Sequence, residues 1–134
     1  MRGENISEQV TCFDFFMSEA ICPTISIGDG GNEIGMGNVK GFLADLDIIP
    51  AVTECDELII SDVSNWGVYG ILAFLSIWSE KDLLSNSCPG KILKYISSLG
   101  SVDGVTHKNE LTEDGLPASE GIALIERIRV LIGY

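Results

Sequence analysis

Thr24–Ile27 (TISI) and the segment that follows it, Gly28–Gly37 (GDGGNEIGMG), decide the fold class of this chain. The first segment is β-prone, and the second places five glycines, two carboxylates and one carboxamide in ten positions. Glycine costs backbone entropy on folding, so such a cluster indicates positive φ angles or close backbone approach. A loop of this kind after a strand is where open α/β sheets bind ligands. The stretch therefore predicts an α/β fold with a site around Asp29 and Glu33.

A second strand is predicted over Leu58–Val63, because its continuous apolar start is typical of a parallel sheet covered on both faces. The first helix is predicted over Ser7–Cys22, with Ser7 as its cap, and a second helix in or just after the glycine loop. Three more helices are predicted over Val68–Leu84, Lys91–Leu99 and Ser119–Ile132, the last with Ser119 as its cap. Two strands are fewer than the about four to six usual in such a sheet. The predicted fold is thus a partial parallel sheet flanked by helices, an incomplete three-layer α/β/α domain.

Two of these helices carry further expectations. Val68–Leu84 is apolar nearly all round, which predicts a buried helix. The last helix is predicted to present one apolar face, formed by Ile122, Ile125, Ile128 and Leu131. The glycines within the helix region predicted after the loop, Gly35, Gly37 and Gly41, weaken it and favour close backbone approach instead.

Composition excludes several classes of function. The 134 residues fit one domain, and the formal net charge of −12 disfavours binding to nucleic acid or to an anionic membrane. The cysteines Cys12, Cys22, Cys55 and Cys88 have no metal-ligand spacing, which favours scattered, buried thiols in a reduced protein. The polar start is unlike a signal peptide, and the apolar run Val68–Trp78 is too short to span a bilayer. A soluble, cytoplasmic protein is expected.

The glycine loop does not match a nucleotide site. Glu33 stands where a dinucleotide fingerprint needs its third glycine, and Asp29 would repel a pyrophosphate. Backbone N–H groups beside carboxylates suit a zwitterion, or a carboxylate bridged by a divalent cation. The alternative is a tight strand-to-helix turn without a ligand, but the coincidence of glycines with polar side chains favours a binding site.

A second polar motif, Asp62–Gly67 (DVSNWG), follows the second strand. If the two strands are neighbours, one crevice is expected to hold Asp29, Glu33, Asp62, Ser64 and Asn65. The alternative, given equal weight, is that Ser64 or Asn65 only caps the next helix and that Trp66 packs in the core.

The third segment, Val102–Pro117, is polar and rich in turn signals. Its His107 is the only histidine and is expected to be solvated rather than catalytic, because no Ser or Cys is arranged to need it. Asp103, Glu110 and Asp114 either close over a site or face water, and water is the prediction.

Taken together, these segments resemble the D-glutamate cyclase family. Gly28–Val39 is similar to its glycine-loop signature, and Ser64–Gly67 with Tyr69 to its second signature. Asp103–Thr106 with Asp114–Pro117 resembles a C-terminal motif, and Met1–Ser7 the segment before its first helix. The resemblance implies one D-glutamate cyclase-like domain over residues 1–134, its C-terminal portion, and a lyase that interconverts D-glutamate and 5-oxo-D-proline with loss of water.

The positions supplied by the resemblance allow hypotheses about roles. Asp29 and Glu33 are the predicted catalytic carboxylates, since cyclisation needs a base to take a proton from the ammonium group. Substrate binding is predicted for the surrounding loop and motif residues: Gly28, Gly30, Gly31, Asn32, Ser64, Asn65, Trp66 and Gly67. A divalent metal would help oxygen leave, but the sequence names no ligands for it.

The chain departs from the family pattern in three respects. His107 stands where a glycine is expected, and Glu120–Ala123 lacks a histidine expected in that helix. The family's domain extends upstream of Arg2, so the expectation is a truncated or split protein that needs its N-terminal half or forms a homo-oligomer. The alternatives are a non-catalytic acidic α/β module that binds a metal or a small amino acid through the glycine loop, and an inactive remnant.

Overall fold

The computed structural model describes residues 8–85 and 88–134, so the predicted Ser7 cap and the motif Met1–Ser7 lie outside the described residues. The chain divides into two compact units, the first ending at Ser64 and the second beginning at Asn65. Both helices and strands are present, and the α/β class is confirmed. Cys12, Cys22 and Cys55 are free thiols, but Cys12 and Cys22 are exposed, so the prediction of buried thiols is wrong for these two.

The first unit is built around a parallel strand pair. β1 (Ile25–Gly28) pairs with β2 (Glu57–Ile60), with Ile25 opposite Glu57 and Gly28 opposite Ile60. The predicted parallel arrangement is therefore confirmed. β2 ends three residues earlier than predicted, and just after it the Ser61 hydroxyl donates to the Val63 carbonyl at 2.8 Å.

The first predicted helix of this unit is much shorter in the structure, and the second is a 3₁₀ helix. α1 covers only Asp14–Ser18 and buries no residue, and a helix without tertiary packing does not propagate. A 3₁₀ helix, Gly37–Phe42, replaces the helix expected after the loop. The N–H groups of Gly35 and Gly37 both donate to Thr53 O, at 3.1 and 3.0 Å, so these glycines bond across the unit rather than along a helix.

The second unit contains α2 (Ser64–Ser79, which starts at the last residue of the first unit), α3 (Cys88–Ser98) and α4 (Ala118–Ile132). The prediction that α2 is a buried helix is wrong, since Phe74 and Trp78 are 60% and 75% exposed. Burial falls on one stripe of α2, formed by Tyr69, Ala73 and Ser76. Tyr69 and Ala73 of this stripe pack with Leu84 and Ile125 in the core.

Helix α4 ends at Ile132 as predicted, but its cap and one residue of its apolar face differ from the prediction. Its N-cap is Pro117 and no side chain caps it, so the predicted Ser119 cap is wrong. Ile125 is fully buried, whereas Leu131 is 84% exposed and Ile132 packs on the core in its place. The reason is helical geometry: at about 100° per residue, position 132 returns to the face of 125 and position 131 does not.

A short hairpin joins α3 to α4. β3 (Thr112–Glu113) pairs antiparallel with β4 (Leu116–Pro117). The two turn residues have positive φ angles, 49° at Asp114 and 80° at Gly115. Two successive positive φ angles are typical of a type I′ turn, for which Asp-Gly is a preferred pair. The predicted turn at this position is confirmed.

Candidate functional site

Asp29 lies directly after β1, at the carboxyl end of the parallel strand pair. Its Oδ2 accepts the backbone N–H of Ser64 at 3.0 Å, and its side chain is exposed. Ser64 is the first residue of α2, so the carboxylate satisfies one of the N–H groups that a helix start leaves unpaired. The structure thus brings together two residues that the sequence predicted to share a crevice. It stays a prediction that the same crevice also holds Glu33, Asp62 and Asn65.

Glu33 closes the glycine loop on itself. Its Oε1 accepts the N–H of Gly30 and its Oε2 the N–H of Asn32, both at 3.1 Å. These bonds direct two loop N–H groups at a carboxylate of the same loop, so in this conformation they do not face an external anion. Glu33 is half-buried, whereas Asp29 is exposed. The two predicted catalytic carboxylates therefore differ: Glu33 shapes the loop and Asp29 is accessible to a ligand.

The loop glycines are required by the packing of the unit itself. Gly31 and Gly35 have φ angles of 87° and 97°, which favour glycine. A Cβ on Gly35 would overlap the side chain of Ser26, and one on Gly37 would lie 2.5 Å from Val52 O. The close approach that the sequence predicted is therefore to β1 and to residues 52–53 of the same chain.

The second motif continues into the second unit, where its aromatic residues hold a buried carboxylate. Trp66 Nε1 donates to Glu113 Oε2 at 3.3 Å, and the Tyr69 hydroxyl donates to Glu113 Oε1 at 2.5 Å. Glu113 is only 5% exposed. Gly121 permits this arrangement, because a Cβ there would lie 2.6 Å from Glu113 Oε2. Trp66 packs on the core, as one interpretation of the sequence predicted.

Asp103 is the centre of a second buried network, so the prediction that it faces water is wrong. Its Oδ1 accepts the N–H groups of Val105 and Thr106, both at 2.8 Å. Its Oδ2 accepts the Gly115 N–H at 3.0 Å and the Thr112 hydroxyl at 2.7 Å. These donors, with the Gly115 and Thr106 backbone N–H groups foremost, hold the pKa of Asp103 well below its usual range. Asp103 therefore fixes the conformation of the segment that carries Glu113.

Neither a metal cluster nor a membrane span is found in the described part of the chain. Among the side chains that the structure describes, no three of His, Cys, Asp or Glu cluster in a way that could hold a metal ion. Over the same residues, none of the helices has the length and apolar character needed to cross a membrane.

Comparison with known proteins identifies the family. A family model described as "D-glutamate cyclase-like, C-terminal" matches residues 1–129. The chain belongs to this family. The human (Homo sapiens) protein named "D-glutamate cyclase, mitochondrial" is 41% identical to it over 71 residues, covering 48% of this chain and 12% of that protein. The resemblance to the D-glutamate cyclase family seen in the motifs is confirmed.

The structure gives a physical reason for one departure from the D-glutamate cyclase-like pattern. His107, which stands where a glycine is expected, has a φ angle of 56° in the left-handed region. Its backbone N–H donates to Asp103 O at 2.9 Å, which holds it there. His107 is exposed, in line with a solvated side chain.

Glu113 was not among the residues that the sequence singled out. It precedes the Asp-Gly turn of the hairpin, and neighbouring strand residues point to opposite faces, so either Thr112 or Glu113 had to point inward. Only the tertiary structure shows that the inward residue is the carboxylate. The signal that could have found it is the pair Trp66 and Tyr69, two aromatic residues whose polar hydrogens need acceptors when buried.

Proposed function

We propose that this chain takes part in a D-glutamate cyclase reaction, the reversible conversion of D-glutamate to 5-oxo-D-proline and water. The observation that carries the proposal is the exposed carboxylate of Asp29, oriented by the Ser64 N–H at the carboxyl end of the strand pair. Family membership supports the reaction class. The matched segment is 12% of the length of the human relative, so the activity of that whole protein is assigned to this chain only as a proposal.

The reaction requires proton transfer from the substrate's ammonium group. A base removes one proton, and the free amine attacks the γ-carboxyl carbon to form the C–N bond. A second proton leaves nitrogen as the lactam forms, and one carboxyl oxygen departs with both protons as water. Asp29 is the proposed base, because it is accessible and its orientation is fixed.

The other predicted residues are assigned to positioning and binding. Glu33 is a positioning residue, since its two oxygens accept loop N–H groups. Contact with the substrate is proposed for the remaining members of the two motifs: Gly28, Gly30, Gly31, Asn32, Ser64, Asn65, Trp66 and Gly67. The proposed partner is a small amino acid, and the net charge of −12 supports the exclusion of nucleic acid.

A second candidate is a non-catalytic module that binds a small amino acid or a metal through the loop. One observation favours it over a catalyst: Glu33, the second predicted catalytic carboxylate, accepts the N–H groups of Gly30 and Asn32 and so has a structural role in the loop. Binding of D-glutamate without turnover would support this candidate over the cyclase.

The test is turnover by the full chain, measured as 5-oxo-D-proline by chiral chromatography and mass spectrometry. Replacing Asp29 with Asn is expected to lower the rate by about 10²–10⁴-fold, as for loss of a general base. Asp45→Asn, an exposed carboxylate outside the loop, is the matched control and should leave the rate unchanged. Equal rates for the wild type and Asp29→Asn would overturn the role of Asp29.

Two further expectations need their own measurements. A homo-oligomer that completes the site predicts that specific activity rises with chain concentration. A cytoplasmic location also stays a prediction, testable by imaging a tagged chain; "mitochondrial" belongs to the name of the human relative.

A further inference from the structure

A cavity of about 380 Å³ lies within the second unit. Its wall is mostly aliphatic and comes from α2, α3 and the segment between them: Val68, Leu72, Leu83, Ile92, Leu93 and Ile96. Cavities of this size and apolar character, with a few convergent polar groups, are typical of sites for small organic molecules. Here the polar groups include Asn65, Tyr69 and Glu113.

Glu113 brings a carboxylate to the cavity wall, and no counter-charge among the described residues is paired with it. The two side chains that donate to it, the Tyr69 hydroxyl and the Trp66 indole N–H, are both neutral. In the part of the chain that the structure describes, the ion pairs are Lys108–Glu110 and Arg129–Asp82, and neither includes Glu113. A buried charge is costly unless it is paired. A cationic group in the cavity would provide that pairing, since each carboxylate oxygen can accept more than one hydrogen bond.

The lining also defines what does not bind. Among the described residues that form it, Glu113 is the one with a charge, and none is Lys or Arg. A dicarboxylate such as D-glutamate would place its own negative charges against Glu113 and aliphatic side chains. The cavity is therefore unsuited to the substrate of the proposed reaction.

We propose that this cavity is a binding site for a small organic cation, a primary ammonium group on an aliphatic body. The ammonium donates hydrogen bonds to Glu113, and the aliphatic body lies against Leu72, Leu93 and Ile96. This proposal does not depend on the role proposed for Asp29, although Asn65 of the cavity lining is also a proposed substrate contact.

The test compares three probes with the same body and different head groups: n-hexylammonium, n-hexanol and hexanoate. Affinity for the full chain is measured by calorimetry, and the indole N–H resonance of Trp66 is followed by NMR. Trp66 reports on Glu113 through their hydrogen bond, while the exposed Trp78 serves as internal reference. We expect n-hexylammonium to bind at least about tenfold more tightly than n-hexanol, the factor expected for hydrogen bonds to a charged group. It should shift the Trp66 resonance but not that of Trp78.

Replacing Glu113 with Gln should remove this preference and leave n-hexanol affinity within about twofold, while the exposed control Glu126→Gln should retain it. If Glu113→Gln does not fold, the proposal is still tested by comparing the three probes and the two Trp resonances in the wild type. Equal affinities for the three probes, no binding of n-hexylammonium, or a shift at Trp78 alone would each overturn the proposal. Because D-glutamate turnover is measured separately, failure of this site and failure of the cyclase proposal give different results.

Discussion

Substitutions in the glycine loop test whether its glycines are required by the fold or by a bound ligand. Replacing Gly35 with Ala puts a Cβ onto the side chain of Ser26, which is itself buried, and forces alanine into a φ angle of 97°. A left-handed conformation costs about 1–2 kcal/mol for a non-glycine residue. Overpacking costs about 1–3 kcal/mol. The free energy of unfolding should therefore fall by about 2–5 kcal/mol, a large share of the about 5–15 kcal/mol typical of a domain.

Two further glycines provide the matched comparison. Gly37→Ala tests the clash with Val52 O without a left-handed φ angle, so a loss of about 1–3 kcal/mol is expected. At Gly41, an alanine Cβ would meet no heavy atom of the described residues within 4 Å, so Gly41→Ala should be neutral or stabilise by about 0.4–1 kcal/mol.

The assay is urea denaturation followed by far-UV circular dichroism, with hydrogen exchange of the peptide that contains Gly35 and Gly37. Exchange should accelerate in Gly35→Ala, because both N–H groups donate to Thr53 O in the wild type. The reasoning is refuted if Gly35→Ala and Gly41→Ala unfold at the same urea concentration. The loop glycines would then have to be explained by a ligand rather than by the fold.

Three other predictions follow from the second unit. Because Ile125 is fully buried, Ile125→Ala should lower the free energy of unfolding by about 2–5 kcal/mol and Ile125→Val by about 0.5–1.5 kcal/mol. Urea denaturation measures both losses, and equal losses would contradict the place of Ile125 in the core. Asp103 has a lowered folded-state pKa, so its stabilising contribution is present above the unfolded value near 3.8 and is lost as the pH falls below it. Asp103→Asn should therefore be less stable than the wild type at pH 7, with a difference that narrows below about pH 4; a difference independent of pH would refute this. His107→Gly should raise the thermal midpoint, because glycine adopts the φ angle of 56° without strain, whereas a lowered midpoint would show that the side chain stabilises the turn.

Local sequence predicted the features that depend on neighbouring residues. The β-prone Thr24–Ile27 and the apolar start of Leu58–Val63 correctly indicated two parallel strands. Asp114-Gly115 correctly indicated a turn, because the two residues accept positive φ angles. The motifs correctly indicated the D-glutamate cyclase-like family. Each of these signals is carried by a few adjacent side chains.

Burial could not be predicted in the same way. Helix α2 is apolar nearly all round, yet only its stripe at Tyr69, Ala73 and Ser76 is buried. The reason is that an apolar helix packs only where another element reaches it, and the sequence of the helix does not record where its neighbours lie. The length of α1 was overestimated for the same reason, since α1 buries no residue against another element.

By itself, the sequence determined the fold class, the family and the position of a glycine loop with two carboxylates after a strand. Only the tertiary structure decided how those groups are used: Glu33 accepts loop N–H groups, Asp29 is exposed beside Ser64, and Gly35 makes room for Ser26. It also revealed that the buried carboxylate of Glu113 accepts hydrogen bonds from Trp66 and Tyr69. The physical reason is that strand propensity and turn chemistry act between neighbours in sequence, whereas burial and hydrogen-bond partners join residues up to 47 positions apart.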